Sequence, residues 1–216
     1  MENVKNNTDR KINYIREYKR YNTAIKNEFY LEAIAIVYAI IEDRLVSFLH
    51  HAGIVSRNNE NLKITNASYP YIRKLMGKED SAAIRIKDIS VKMNLIMNLL
   101  NMDELQALKI DDEVEQFVNT YQKKRIARKG YMHDIYCQIS RSIDREKVQE
   151  LFMRFEPWRD TRNKLIHALL NKTAKSSEAA KEKCAKDGYL LSRQFDDCLA
   201  KPFYKNNTIR KKYKIQ

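Results

Sequence analysis

The 216-residue chain carries 41 Lys and Arg against 28 Asp and Glu, a net charge of +13, which points to an acidic partner, nucleic acid before anionic membrane. Four Gly and three Pro are too few for a strand-and-turn fold. With abundant Lys, Glu, Leu, Ile and Ala they predict an all-α chain of long helices, and three scattered cysteines (Cys137, Cys184, Cys198) with no C-x-x-C pair exclude a zinc knuckle or disulfide framework.

The polar, charged N-terminus is no signal peptide, and a reducing cytoplasm is the expected compartment. Residues 1–23 predict a short helical extension, with Ile12, Ile15 and Tyr18 on one face. Residues 24–52 predict the first strong helix. Its apolar stripe takes in Phe29, Ala33, Ile36, Val37, Ile40, Ile41, Leu45, Phe48 and Leu49, and Gly53 is its expected C-cap. The run Ala33–Ile41 is too short to span a bilayer, so no membrane partner is expected. His50 and His51 suit the negative end of that helix.

Residues 54–69 read as a polar loop, and Tyr69-Pro70-Tyr71 enters a short helix stopped by Gly77. Residues 80–101 predict a helix burying Ile84, Ile86, Ile89, Val91, Leu95, Ile96, Leu99 and Leu100, with Met93, Met97 and Met102 filling core gaps. One or two helices follow over 103–141, and Asp111-Asp112-Glu113 marks a new start. Phe117 belongs to their apolar pattern. Lys123, Lys124, Arg125, Arg128 and Lys129 form the densest interior basic run. They suit RNA phosphates, and equally a solvated face.

Residues 144–156 predict a helix that stops at Pro157. A second helix then starts there, because proline is tolerated in a first turn. Residues 175–200 are again helical. The tail 201–216, with Arg210, Lys211, Lys212 and Lys214, is expected to be mobile and to add unspecific RNA affinity. Four scattered His build no metal site, and no cofactor motif appears.

The helix after Pro157 holds the most informative stretch, Trp158-Arg159-Asp160-Thr161-Arg162-Asn163-Lys164-Leu165-Ile166-His167-Ala168-Leu169-Leu170. Arg159, Asn163 and His167 recur every four residues and share one stripe, with Arg162 beside it. The segment Arg162-Asn163-x-x-x-His167 resembles the RNA-cleaving signature of the HEPN superfamily, in which an Arg, often followed by a polar residue, is separated from a His by four to six intervening residues near the start of a late helix. Arg44 with His50 or His51, and Arg128 with His133, also fit the loose spacing. They lack the Asn, and Gly130 interrupts the second pair.

The resemblance implies a HEPN-like up-and-down helical bundle with additional peripheral helices. Residues 24–172 would form the bundle, 1–23 an extension, and 175–216 a helix and tail packed on the same domain. It implies a metal-independent endoribonuclease, a toxin or anti-phage effector, with Arg162, Asn163 and His167 catalytic. His167 would move the 2′-hydroxyl proton, Arg162 would hold non-bridging phosphate oxygens, and Asn163 would orient the His or bind phosphate. Glu42, on an early helix, and Arg159 would support the site, although an exposed carboxylate paired with a neighbouring cation also accounts for Glu42.

At 100° per residue, Arg162 and His167 lie about 140° apart round the helix. The resemblance implies a homodimer whose two motifs meet in one composite site. An antitoxin or regulatory partner is a further expectation. HEPN toxins silenced by nucleotidyl transfer tend to carry Tyr two residues after the His, where this chain has Leu169. The competing reading is a catalytically inactive HEPN-like module that binds RNA, a nucleotide or a protein, with His167 as a structural histidine.

Overall fold

The structure, a computed structural model, describes residues 7–58, 61–77, 84–121, 129–170, 177–205 and 208–215. It is all-α apart from one small hairpin. The elements run α1 (Asn7–Lys26), α2 (Tyr30–His51), β1 (Val55–Asn58), β2 (Asn61–Ile64), α3 (Tyr69–Leu75), α4 (Ile89–Asn101), α5 (Glu104–Tyr121), α6 (Tyr131–Ser142), α7 (Arg145–Leu170) and α8 (Glu178–Gln194). A π-helical segment (Phe195–Ala200), α9 (Lys201–Lys205) and α10 (Ile209–Lys212) complete it. No helix among the described residues is long and apolar enough to cross a membrane.

The chain divides into two compact units, Met1–Asp43 with Glu150–Asp196, and Arg44–Gln149 with Asp197–Gln216. In the first unit an aromatic core joins α1, α2, α7 and α8. Tyr21 stacks on Tyr189 at 4.9 Å and its hydroxyl donates to the Ala185 carbonyl. Phe155 packs on Trp158 and on Phe195. The Trp158 indole N–H donates to the Cys184 carbonyl at 2.8 Å, so a large side chain is buried with its one polar atom satisfied. Gly188 lets α8 approach closely: a Cβ there would stand 2.5 Å from Trp158 Cζ2 and 2.7 Å from Val37 Cγ2.

In the second unit Gly53, at φ +75°, ends α2 as expected, its N–H bonded to the His50 carbonyl and that of Ile54 to Leu49. Leu95, Ile96, Leu99 and Leu100 of α4 are buried, as are Tyr131, Ile135 and Ile139 of α6. The hairpin is antiparallel, with Val55 opposite Ile64. Thr65 and Ser68 are buried beside it and donate to the carbonyls of Gly53 and Ile54.

Several sequence expectations are corrected. The first strong helix does not run unbroken over 24–52. Glu28 takes a left-handed conformation at φ +60° and splits it, leaving Phe29 60% exposed. Tyr18 and Tyr21, rather than the exposed Ile12 and Ile15, anchor α1. The loop 54–69 holds the hairpin. Residues 84–88 are not helical: Ile84 and Ile86 are buried while Arg85 and Lys87 are exposed, a period of two where a helix needs 3.6. Phe117 is 45% exposed.

Pro157 does not start a helix but sits inside α7. Its missing N–H takes the i+4 donor away from the Met153 carbonyl, and Met153 is an exposed residue. Leu151, Phe152, Phe155, Trp158 and Leu165 are buried on both sides of it, so packing outweighs proline's local penalty. The tail is not loose. Ile209, Tyr213 and Ile215 are buried, and Arg210 donates to the carbonyls of His50 and Val55, supplying the end of α2 with a cationic donor.

Asp111 does not open a helix either, since α5 runs through it. It is 7% exposed and its carboxylate accepts the N–H groups of Met132 and His133, both at 2.9 Å, at the start of α6. Burial raises its pKa above the ordinary aspartate value, although those two donors oppose the shift. Asp111→Ala is expected to lower the free energy of unfolding by about 2–3 kcal/mol, because one buried and one part-buried N–H group lose their acceptor. A urea midpoint shift with unchanged slope measures this.

Candidate active site

The motif lies on α7 within the first unit. Arg162 is half-buried. Its guanidinium carbon sits 4.3 Å from the centroid of the Tyr38 ring on α2, a cation–π contact. Its Nη1 donates to Asn163 Oδ1 at 2.9 Å, and its Nε is buried with no hydrogen-bond partner among the described residues. The Tyr38 ring in turn stacks on Trp158 at 6.4 Å. Arg162 is thus gripped on one face and at one nitrogen, which fixes the plane of the fork and leaves Nη2 as a donor outside these contacts.

His167 is exposed. The angular separation read from the spacing is therefore expressed as a difference in environment, with the guanidinium turned onto α2 and the imidazole turned to solvent. Within one chain the two groups do not converge. Asn163 is half-buried, and its carboxamide oxygen serves Arg162. Arg159 lies 3.9 Å from the carboxylate of Asp160. Glu42 is half-buried and sits four residues beyond Tyr38, on the same stripe of α2.

Lys123, Lys124, Arg125 and Arg128 lie outside the described residues. Lys129 is exposed just before α6, and its carbonyl accepts from the Tyr213 hydroxyl. His133, the alternative histidine, is 3.2 Å from Glu104 Oε1 and 3.7 Å from Cys137 Sγ, both through Nε2. A relay would need its acid on the other ring nitrogen. His50 Nδ1 meets the Val55 carbonyl.

Among the described residues no group of three His, Cys, Asp or Glu is placed to hold a metal ion. All three cysteines are free. Burial, reinforced by Asp187 and opposed by Arg162, pushes the Cys184 thiol up to about 11, so it is no nucleophile at neutral pH.

Two features went unread in the sequence. Tyr38 lies inside an apolar stripe, where nothing marks it as the shelf for Arg162. The second is a cleft of about 530 Å³ between α7 and α8, walled by Trp158, Leu190 and Leu191 and rimmed by Arg154, Lys183 and Asp187. Its linear trace is an i, i+3, i+4, i+7 spacing on each helix, 154, 157, 158 and 161 on α7 and 180, 183, 184 and 187 on α8. Comparison with family models, with curated proteins and with solved structures finds no match to this chain.

Proposed function

We propose that this chain is a metal-independent endoribonuclease of HEPN type, built as an up-and-down bundle with peripheral helices and acting as a toxin or anti-phage effector. The supporting observation is the pair on α7: a guanidinium held in plane by Tyr38 and Asn163, and an exposed imidazole five residues later.

In this reading His167 takes the proton of the 2′-hydroxyl, and O2′ attacks the adjacent phosphorus. The P–O5′ bond breaks, and the departing 5′ oxygen receives a proton from a second imidazole. Arg162 neutralises charge on the non-bridging oxygens of the transition state. The products are a 2′,3′-cyclic phosphate and a 5′-hydroxyl. Because Arg162 and His167 face apart in one chain, the reaction calls for a homodimer in which one copy's Arg162 meets the other's His167, and the second His167 supplies the acid. Glu42 and Arg159 are assigned supporting roles, Lys129 and the basic run before it are assigned to RNA phosphates, and an antitoxin or regulatory partner would silence the dimer.

The inward set of Arg162 also favours a second reading, a catalytically inactive module that binds RNA, a nucleotide or a protein. Incubating the purified protein with total cellular RNA in EDTA separates the two. The nuclease reading expects cutting that survives EDTA, leaves cyclic-phosphate ends and spares DNA, which lacks the 2′-hydroxyl. Intact RNA bound by the protein supports the module.

A further inference from the structure

We infer that the cleft between α7 and α8 is a nucleobase subsite for single-stranded RNA, its apolar wall covering one base while Arg154 and Lys183 hold the phosphates on either side. This rests on the RNA-directed reading above and adds a place for the strand.

The cleft lies wholly within the first unit. Its volume of about 530 Å³ falls in the range of small-molecule sites, roughly 300–1,000 Å³, which suits one nucleotide better than a docked helix. The Trp158 indole, 6% exposed, closes the floor, and Leu190, 60% exposed, stands at the wall. Leu190 is a large apolar residue facing outward on a helix whose Leu191 is already buried.

The rim is charged in the sense RNA needs. Arg154 on α7 and Lys183 on α8 are exposed on opposite sides of the cleft, and no ion pair among the described residues engages either. Asp187, also exposed and on the rim, is an acceptor for the exocyclic amine of cytosine, adenine or guanine. Cations on both sides supply the electrostatic part of sequence-tolerant single-strand binding, and the apolar wall of Trp158, Leu190 and Leu191 supplies the cover for the base.

Position links the subsite to the motif. Arg154 to Thr161, the two ends of the α7 wall, span about 10 Å at 1.5 Å per residue. Thr161 immediately precedes Arg162. A strand lying along α7 with a base in the cleft therefore carries its backbone toward the motif.

The chain holds a single tryptophan, so the cleft carries its own reporter. A short single-stranded 2′-O-methyl oligonucleotide, which cannot be cut by 2′-oxygen attack, is titrated into the full chain. Trp158 emission and oligonucleotide anisotropy are both followed. A saturable emission change is expected, lost in Leu190→Asp, with the dissociation constant raised at least about tenfold in Arg154→Glu/Lys183→Glu. All three residues are exposed, and circular dichroism of each variant checks the helices.

Binding by anisotropy with no emission change, or with affinity unmoved in the double variant, overturns the subsite. So does a Leu190→Asp chain that binds unchanged but loses self-association, which assigns the cleft to a second copy. A wild-type chain with the emission change but no RNA cleavage keeps the subsite and sinks the nuclease. One that cleaves without the change does the reverse.

Discussion

His167→Ala is expected to lower RNA cleavage by about 100-fold or more while leaving helix content and the unfolding midpoint where they were. The exposed imidazole supports no packing that its removal would break, so a lost rate in this variant is a chemical loss. Arg162→Ala should lose a comparable rate but with a stability cost of about 1 kcal/mol, because the cation–π contact with Tyr38 goes with it. Arg162→Lys keeps the charge and gives up the planar fork, and is expected to recover stability better than rate. If one copy's Arg162 meets the other's His167, mixing Arg162→Ala with His167→Ala chains under subunit exchange restores part of the activity. Mixed chains as inert as their parents would rule out the composite arrangement, and equal cutting by wild type and both variants would place the chemistry elsewhere or in a contaminant.

The second large effect is structural. Gly188→Ala puts a methyl group 2.5 Å from Trp158 Cζ2 and 2.7 Å from Val37 Cγ2, both shorter than any real carbon–carbon contact. Neither neighbour yields easily: the indole is buried and tied to the Cys184 carbonyl, and Val37 is fully buried. Overpacking of this kind costs about 1–3 kcal/mol or more, which outweighs the roughly 1 kcal/mol that alanine gains over glycine in a helix. The test is a double-mutant cycle in urea with Trp158→Phe, whose smaller ring leaves room for the methyl. The two substitutions together should cost less than the sum of each alone. Strict additivity would mean that α8 shifts to relieve the clash.

Much of the helical framework was legible because composition and apolar period repeat over many residues, and the α2 cap because Gly53 has few other roles at a helix end. Pro157 misled because its penalty is local, whereas the burial of Phe155 and Trp158 around it is tertiary. The tail misled because charged residues separate Ile209, Tyr213 and Ile215, so no window there looks apolar. At the site, spacing gave the angle between Arg162 and His167. The contacts themselves follow no linear pattern: Tyr38 meets Arg162 only after α2 and α7 pack, and Asp111 accepts amides of residues 21 and 22 positions later.

The anchoring of Arg210 on the end of α2 also bears on how the protein is made. The His50 carbonyl, already served by the Gly53 N–H, receives a second donor from a residue 160 positions later. At a synthesis rate of about 5–20 residues per second, the α2 terminus waits roughly 8–30 s for it. Most helical proteins close local contacts first and fold fast; here the loop to be closed is most of the chain, and its entropy must be overcome before that end of the fold is complete. The second unit therefore completes its packing only once residue 210 has been made. A chain ending near residue 200 would contain every motif residue and still lack the packing of Ile209, Tyr213 and Ile215.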